Sequence, residues 1–173
     1  MFQTLFSPNR RDPDVMQRIS ISQWHAMTQT GCMIPMRIPI HGNSMYPLVR
    51  MDRDLVTIVP LKEMPRAGDI VLFADPIHDR YVLHRVWRAE KDRVLTWGDN
   101  CEYPDGWMPL DAVWGKAILI ERGKRSITPD PEKGLRLARI WHRAGKVYRW
   151  CHLQLSRVKR RLKRLVKRRT RNG

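Results

Sequence analysis

Six short segments rich in β-branched and aromatic residues constrain the fold more than any other feature of the sequence. They read "MRIPI", "DLVTIV", "DIVLFA", "RYVLHRVWR", "RVLTWG" and "VWGKAILIE", and they follow one another between residues 34 and 121. The stretches between them, such as "MPRAGD", "AEKD" and "GDNCEYPDG", have the composition of turns. None of these stretches has the pattern of a crossover helix. We therefore predict a mainly β fold, either a sandwich or a coiled set of hairpins, rather than a parallel sheet.

Helical patterns flank the β-rich region on both sides. The segment "DVMQRISISQWHAMTQTG" has apolar residues near helical spacing and a stop signal at Gly31. After the linker "ITPDPEKG", apolar residues recur every three or four positions, which predicts a long amphipathic helix. We therefore expect an N-terminal extension with a short helix over residues 1–34, a β core over 35–123, and a linker with a basic helical tail over 124–173.

The charge of the chain is concentrated at its C-terminal end. The net charge is +16, and residues 122–173 hold 19 Lys and Arg against 2 acidic residues, which leaves 14 basic and 15 acidic residues in 1–121. A cationic tail on a neutral body indicates an anionic partner for the tail. Because basic residues surround an apolar stripe, we expect an anionic membrane surface, with nucleic acid ranked lower. The residues predicted to make this contact are Arg157, Lys159, Arg160, Arg161, Lys163, Arg164, Lys167, Arg168 and Arg169.

Cysteine content and hydropathy exclude several classes of protein. Cys32, Cys101 and Cys151 are odd in number and form no Cys-x-x-Cys pair, so neither a zinc site nor a disulfide framework is indicated, and no cofactor is expected. No stretch approaches the roughly 20 apolar residues of a transmembrane helix, and the first residues lack the apolar region of a signal peptide. We expect a cytoplasmic location, with peripheral attachment to a membrane as an option.

Ser44, in "HGNSMYP", is the candidate nucleophile of the sequence. A serine nucleophile needs a base, donors for an oxyanion and a fixed backbone. Gly42 permits an unusual backbone angle or a close approach of substrate, and the N–H groups of Asn43 and Ser44 could converge on an oxyanion. We therefore name Gly42, Asn43 and Met45 as oxyanion or substrate residues. Taken alone, however, a serine in a loop is more often an ordinary turn residue.

His84 is the best candidate for the base. In "YVLHRVW", strand alternation places Val82, His84 and Val86 on one face, so the imidazole should be partly buried on a rigid element. Such a histidine is either a satisfied core residue or a general base in a site with little water.

The loop "GDNCEYPDGW" follows the next strand along the chain and offers two carboxylates that could orient the imidazole. They are Asp99 and Asp105, and both also suit ordinary turns.

These segments occur in an order that resembles the type I signal peptidases, which share a β-rich core with the autoproteolytic repressor-like peptidases of the S24/S26 group. The matching stretches are "GNSMYPLVRMDRDLVTI", "GDIVLF", "YVLHRV", "GDN…D…W" and "VWGKAILIERG", over about residues 38–122. The pair His84-Arg85 stands where many members have Lys-Arg. The chain is therefore similar to the branch that uses serine and histidine with an aspartate, found in archaea, endospore formers and the endoplasmic reticulum.

The resemblance implies a coiled antiparallel β core and a serine endopeptidase that removes a leader or signal segment from a precursor. Ser44 would be the nucleophile, His84 the base and Asp105 the orienting acid, with Asp99 as the second choice. Signal peptidases often have a serine at the position of Gly42 and a transmembrane anchor, and this sequence has neither. Two alternatives stay open: a repressor-like autoproteolytic regulator, and an adaptor for membranes or nucleic acid on an inactive peptidase scaffold.

Overall fold

The computed structural model describes residues 19–75 and 80–145. Within these ranges the chain forms two helices, one 3-10 turn and eight strands. The helices are α1 (Ile21–Gln29) and α2 (residues 131–145), and the 3-10 turn is Leu110–Ala112. The strands are β1 (Met36–Pro39), β2 (Asp54–Pro60), β3 (Ile70–Asp75), β4 (Arg80–Glu90), β5 (Arg93–Trp97), β6 (Gly106–Pro109), β7 (Val113–Arg122) and β8 (Arg125–Ile127).

The eight strands belong to one antiparallel sheet. Its order is β1-β2-β7-β3-β4-β5-β6, and β8 pairs with β7. The prediction of a mainly β, antiparallel fold is thus confirmed. Each of the six strand segments identified in the sequence forms a strand. The two remaining strands, β6 and β8, lie outside these segments and were not predicted.

The central strands are covered on both faces. In β3, Ile70 and Leu72 belong to one hydrophobic cluster, while Val71 and Phe73 belong to a second. Because successive side chains of a strand point to opposite faces, these two clusters lie on opposite sides of the sheet. A strand at this position therefore presents functional side chains in buried surroundings on either face.

Helix α1 begins at a capping box. The Ser20 hydroxyl accepts a hydrogen bond from Gln23 N–H, and the Gln23 side chain accepts one from Ser20 N–H. Trp24 is buried in the first hydrophobic cluster and donates its indole N–H to the Ile34 carbonyl at 2.8 Å. The helix predicted within residues 14–31 is therefore observed over Ile21–Gln29, while residues 14–18 lie outside the described ranges.

Helix α2 follows the proline-containing linker. Asp130 caps it, because its side chain accepts from Lys133 N–H at 2.9 Å and its carbonyl accepts from Gly134 N–H at 2.8 Å. The chain divides into two compact units, residues 1–135 and 136–173, of which the second is described as far as residue 145.

The second unit is helical where the structure describes it. Leu137, Ile140 and Trp141 have side chains that are substantially exposed. The predicted membrane-contact residues between Arg157 and Arg169 lie outside the described part of the chain. None of the helices that the structure describes combines the length and the apolar character needed to cross a bilayer.

Candidate active site

Ser44 lies in the loop that connects β1 to β2. The loop is held from within, since Tyr46 N–H donates to the Asn43 carbonyl at 3.2 Å and Val49 N–H donates to the Met45 carbonyl at 2.9 Å. Met45 and Val49 are buried in the first hydrophobic cluster, whereas Ser44 is only partly buried. The serine is thus exposed to a cavity while its neighbours anchor the loop to the core.

Asn100, from the loop between β5 and β6, fixes the backbone around the serine. Its N–H donates to the Ser44 carbonyl at 2.6 Å, and its side-chain amide donates to the Asn43 carbonyl at 3.2 Å. Within the described ranges, the backbone N–H groups of Asn43 and Ser44 donate to no other group. Two fixed donors therefore remain available next to the hydroxyl.

Gly42 differs from its sequence-based interpretation in one respect. Its φ does not lie in the left-handed region, and a Cβ at this position would meet no atom within 4 Å. The unusual backbone angle expected for Gly42 is therefore not observed, and the local fold itself does not require a glycine here.

His84 is buried on β4 between Val82 and Val86, as the alternation of the strand predicts. It is 5% exposed, and both valines belong to the second hydrophobic cluster. Phe73 from β3 packs against the imidazole edge-on, with ring centroids 6.1 Å apart. The packing of the strands therefore restricts the orientation of the ring.

Asp105 is the carboxylate that contacts the imidazole. Its Oδ2 lies 2.7 Å from His84 Nδ1 and also accepts a 2.9 Å hydrogen bond from the Thr96 hydroxyl. Asp105 N–H donates to the Thr96 carbonyl at 3.0 Å, so both backbone and side chain of this aspartate are fixed against β5. With Nδ1–H donating to the carboxylate, Nε2 is the nitrogen left to accept a proton.

Asp99 contacts Arg85 instead of the histidine. Arg85 donates from Nε at 2.8 Å and from Nη2 at 2.7 Å to the two carboxylate oxygens, and from Nη1 to the Gly68 carbonyl at 2.8 Å. Both charged side chains are almost fully buried. The pair fixes the start of the loop that ends at Asp105.

The pKa of His84 is raised. Burial alone lowers the pKa of this imidazole, but the hydrogen bond to Asp105, followed by the contact with Cys101, outweighs burial and raises it from 6.5 to about 9. The imidazolium form is thus favoured by a carboxylate in hydrogen-bonding contact. A base with this pKa becomes fully available only under alkaline conditions.

One cavity of about 600 Å³ brings the candidate residues together. Ser44, His84 and Asp105 all line it, as do Gly42, Asn43 and Met45. No hydrogen bond joins the Ser44 hydroxyl to His84 in the part of the chain described. In unliganded enzymes, catalytic hydrogen bonds are often long and tighten only around substrate. The serine and the imidazole therefore share a cavity without yet forming the nucleophile–base contact.

Cys101 lies beside Nε2 of His84, the ring nitrogen that does not contact Asp105. Its Sγ lies 3.9 Å from Nε2. Gly98 packs against both groups, because a Cβ on Gly98 would lie 2.6 Å from this Sγ, 2.8 Å from Nε2 and 2.9 Å from the Ser44 carbonyl oxygen. The loop between β5 and β6 thus reaches the serine, the base and the thiol at one point, which only a residue without a side chain can occupy.

Sequence reasoning missed four residues of this site: Thr96, Gly98, Asn100 and Cys101. Three of them stand in the stretch "GDNCEYPDG", in which only the two aspartates had a predicted role. Cys101 indicates neither a zinc site nor a disulfide, but a thiol four residues from a candidate triad acid was a usable signal. Thr96 gave no signal of its own, because its role depends on the β5–β6 register that pairs it with Gly106.

No group of three or more His, Cys, Asp or Glu side chains within residues 19–75 and 80–145 is arranged to hold a metal ion. The residues that line the cavity supply a hydroxyl, a thiol and a histidine oriented by a carboxylate. No protein-family model matches the sequence, and none of the curated proteins compared with it matches significantly.

Proposed function

We propose that this chain is a serine endopeptidase of the signal-peptidase-like type, with Ser44 as nucleophile, His84 as general base and Asp105 as orienting acid. The observation that carries the proposal is the 2.7 Å contact between His84 Nδ1 and Asp105, in a cavity that Ser44 also lines. A buried imidazole held by a carboxylate, in a cavity that a serine also lines, supplies the groups that acyl transfer through a serine requires.

The reaction follows from these positions. The Ser44 hydroxyl attacks a peptide carbonyl while His84 Nε2 removes its proton, and the same nitrogen then delivers the proton to the leaving amine. Asp105 holds the ring in the required tautomer and stabilises the imidazolium that forms. Water, activated by the same base, subsequently releases the acyl group from the serine.

The backbone of the serine loop supplies the oxyanion donors. The N–H groups of Asn43 and Ser44 have no other acceptor among the described residues, and Asn100 fixes the carbonyls on the same loop. Donors that are fixed before the reaction stabilise developing negative charge without reorganisation, and one such donor contributes about 3 kcal/mol of transition-state stabilisation.

The cavity also offers a place for an extended peptide. Strand β1 (Met36–Pro39) is at the end of the strand order, and Ile38, Pro39 and Ile40 line the cavity beside the serine loop. A peptide that paired with this strand would present a backbone carbonyl towards Ser44. We therefore expect a protein or peptide precursor, cleaved at a leader or signal segment, as the substrate.

The experiment is incubation of the full chain with peptides from the same cell, with cut sites identified by mass spectrometry. Wild type should cut, whereas Ser44→Ala and His84→Ala should be slower by a factor on the order of 10³ or more. Ser126→Ala, which changes an exposed serine in β8, is the matched control and should behave as wild type. Equal cutting by all four proteins would refute the assignment, and shortening of the chain without added peptide would indicate autoproteolysis instead.

We further infer that the second unit attaches this peptidase to an anionic membrane surface. The inference is supported by the 15 basic residues and the lack of acidic residues in the sequence of 136–173, and by the exposed Leu137, Ile140 and Trp141 on α2. Each basic residue close to such a surface contributes about 1 kcal/mol to binding.

The test is co-sedimentation with vesicles of anionic or zwitterionic lipid at increasing salt. Binding should require anionic lipid and should weaken in Ile140→Asn, in which an exposed apolar side chain is removed. Equal binding to both kinds of vesicle would refute the inference. Binding to nucleic acid but not to vesicles would also refute it and would identify nucleic acid as the anionic partner.

A further inference from the structure

Cys101 is a thiol placed against a histidine that is already oriented as a base. Its Sγ lies 3.9 Å from His84 Nε2, and His84 is 95% buried with its other nitrogen bonded to Asp105. Cys101 itself is partly exposed and lines the same cavity of about 600 Å³ as Ser44. A small molecule that enters the cavity therefore meets two nucleophiles with access to one imidazole.

The loop that carries Cys101 is held firmly in this position. Cys101 N–H donates to the Gly98 carbonyl at 3.0 Å, and the Trp97 indole donates to the Cys101 carbonyl at 3.1 Å. The Arg85–Asp99 ion pair fixes the same loop one residue before Asn100. The thiol is thus directed at the imidazole by the fold.

We propose that Cys101, beside the imidazolium of His84, is a site of reversible thiol–disulfide exchange, and that a small disulfide attached there closes the Ser44 cavity. The Cys101 thiol loses its proton to solvent, and the resulting thiolate, next to the positive charge of His84, attacks one sulfur of a low-molecular-weight disulfide. A new S–S bond to Cys101 forms as the original S–S bond breaks, and the departing thiolate takes a proton from solvent. Electrons and protons balance without a further oxidant, and an added thiol reverses the step.

The consequence for catalysis is steric. A mixed disulfide on Cys101 places a bulky group beside His84 Nε2, where the serine hydroxyl must approach. This part of the inference rests on the proposed peptidase function, whereas the reactivity of the thiol does not. Precursor cutting would then depend on the thiol–disulfide balance of the compartment.

The reactivity is tested in full-length chains that retain one cysteine each. Cys32→Ser/Cys151→Ser leaves only Cys101, and Cys101→Ser/Cys151→Ser leaves only Cys32, which is also partly exposed. With 5,5′-dithiobis(2-nitrobenzoate) at pH 7, the Cys101 chain should react on the order of tenfold faster than the Cys32 chain, because a positive charge 3.9 Å from Sγ favours attack by the sulfur. Equal rates would overturn the proposal.

The role of the histidine is tested by His84→Gln and by Asp105→Asn in the chain that retains Cys101, with tryptophan fluorescence as the check on folding. Both variants should lose most of the rate advantage at pH 7. An advantage that persists in both variants would refute activation by His84.

The effect on catalysis is tested with oxidised glutathione. Wild type should gain the mass of one glutathionyl group on Cys101, stop cutting precursor, and recover after dithiothreitol. Cys101→Ser, compared with its own untreated rate, should lose no activity on treatment with oxidised glutathione. If Cys101→Ser cannot cut while Ser44→Ala can, Cys101 is the attacking nucleophile and both proposals fail. If no chain cuts any precursor, the peptidase proposal fails, while the labelling rates still test whether Cys101 is more reactive than Cys32.

Discussion

The His84–Asp105 pair should make the free energy of unfolding depend on pH in an unusual range. In the folded chain the pKa of His84 is about 9, against 6.5 for an ordinary histidine. Between these two values the folded state keeps a proton that the unfolded state has lost. The pair's contribution is therefore fully present below pH 6.5 and is lost as the pH rises through 9.

The magnitude follows from the difference between the two pKa values. At about 1.4 kcal/mol for each pKa unit, the change from 6.5 to about 9 corresponds to roughly 3 kcal/mol. His84 is only 5% exposed, so solvent does not screen most of this interaction. A loss of this size is a substantial fraction of the 5–15 kcal/mol that is typical of a domain, as an order-of-magnitude range.

The assay is urea unfolding followed by tryptophan fluorescence at several pH values between 6 and 10. The informative quantity is the difference in unfolding free energy between wild type and His84→Gln, because other titrating groups largely cancel in it. This difference should fall by about 3 kcal/mol from pH 6.5 to pH 9. His41→Gln is the matched control, since His41 and its partner Asp52 are exposed and an exposed pair contributes little.

Two results would refute the reasoning. A difference between wild type and His84→Gln that stays constant across the range would mean that Asp105 does not hold a proton on the imidazole. A difference that grows with pH would mean that burial dominates and that the pKa of His84 is lowered. In either case, the pH dependence of catalysis predicted below would also have to be abandoned.

The other predictions concern the same group of residues. For wild type, kcat/KM for cleavage should rise about tenfold per pH unit between pH 7 and pH 9, because His84 acts as a base only after losing its proton. A kcat/KM profile that is already constant at pH 7 would contradict the raised pKa of His84. Asp105→Asn should lower kcat by a factor on the order of 10³ and move the acid limb of that profile to lower pH, and an unmoved limb would count against the contact. Asp99→Asn should cost about 3 kcal/mol in urea unfolding, because the buried guanidinium of Arg85 loses its charged partner, and a cost below 1 kcal/mol would show that the pair is dispensable. Gly98→Ala should lower kcat on the order of 10²-fold, because the added methyl group would lie 2.8 Å from His84 Nε2, while circular dichroism should show that the fold is retained. A kcat close to that of wild type would show that the loop can move to accommodate the methyl group.

Strand alternation predicted much of the fold and part of the site. Because six of the strands have clear patterns, the antiparallel sheet and the placement of His84 between Val82 and Val86 followed from the sequence. Strand β6 has the sequence "GWMP", which is short and bounded by glycine and proline, and β8 has only three residues. Such strands form because a long neighbour supplies their hydrogen-bond partners, and a local pattern does not contain that information.

The different contacts of Asp99 and Asp105 could not be predicted from the residues alone. Asp99 and Asp105 stand in one turn-rich stretch, and both have the composition of turn residues. Only the resemblance favoured Asp105 as the partner of the histidine. The deciding factor in three dimensions is the β5–β6 pairing of Thr96 with Gly106, which brings Asp105 back onto β5.

The arrangement of the site follows from two consecutive residues of β4. His84 and Arg85 point to opposite faces of the strand, and each contacts one carboxylate of the same loop, Asp105 and Asp99 respectively. The loop is thereby fixed at both ends, and Asn100 between them reaches across to the Ser44 carbonyl. The distance between the serine and the imidazole is therefore set mainly by this loop. Changes in the loop should consequently impair catalysis even where both reacting side chains are intact.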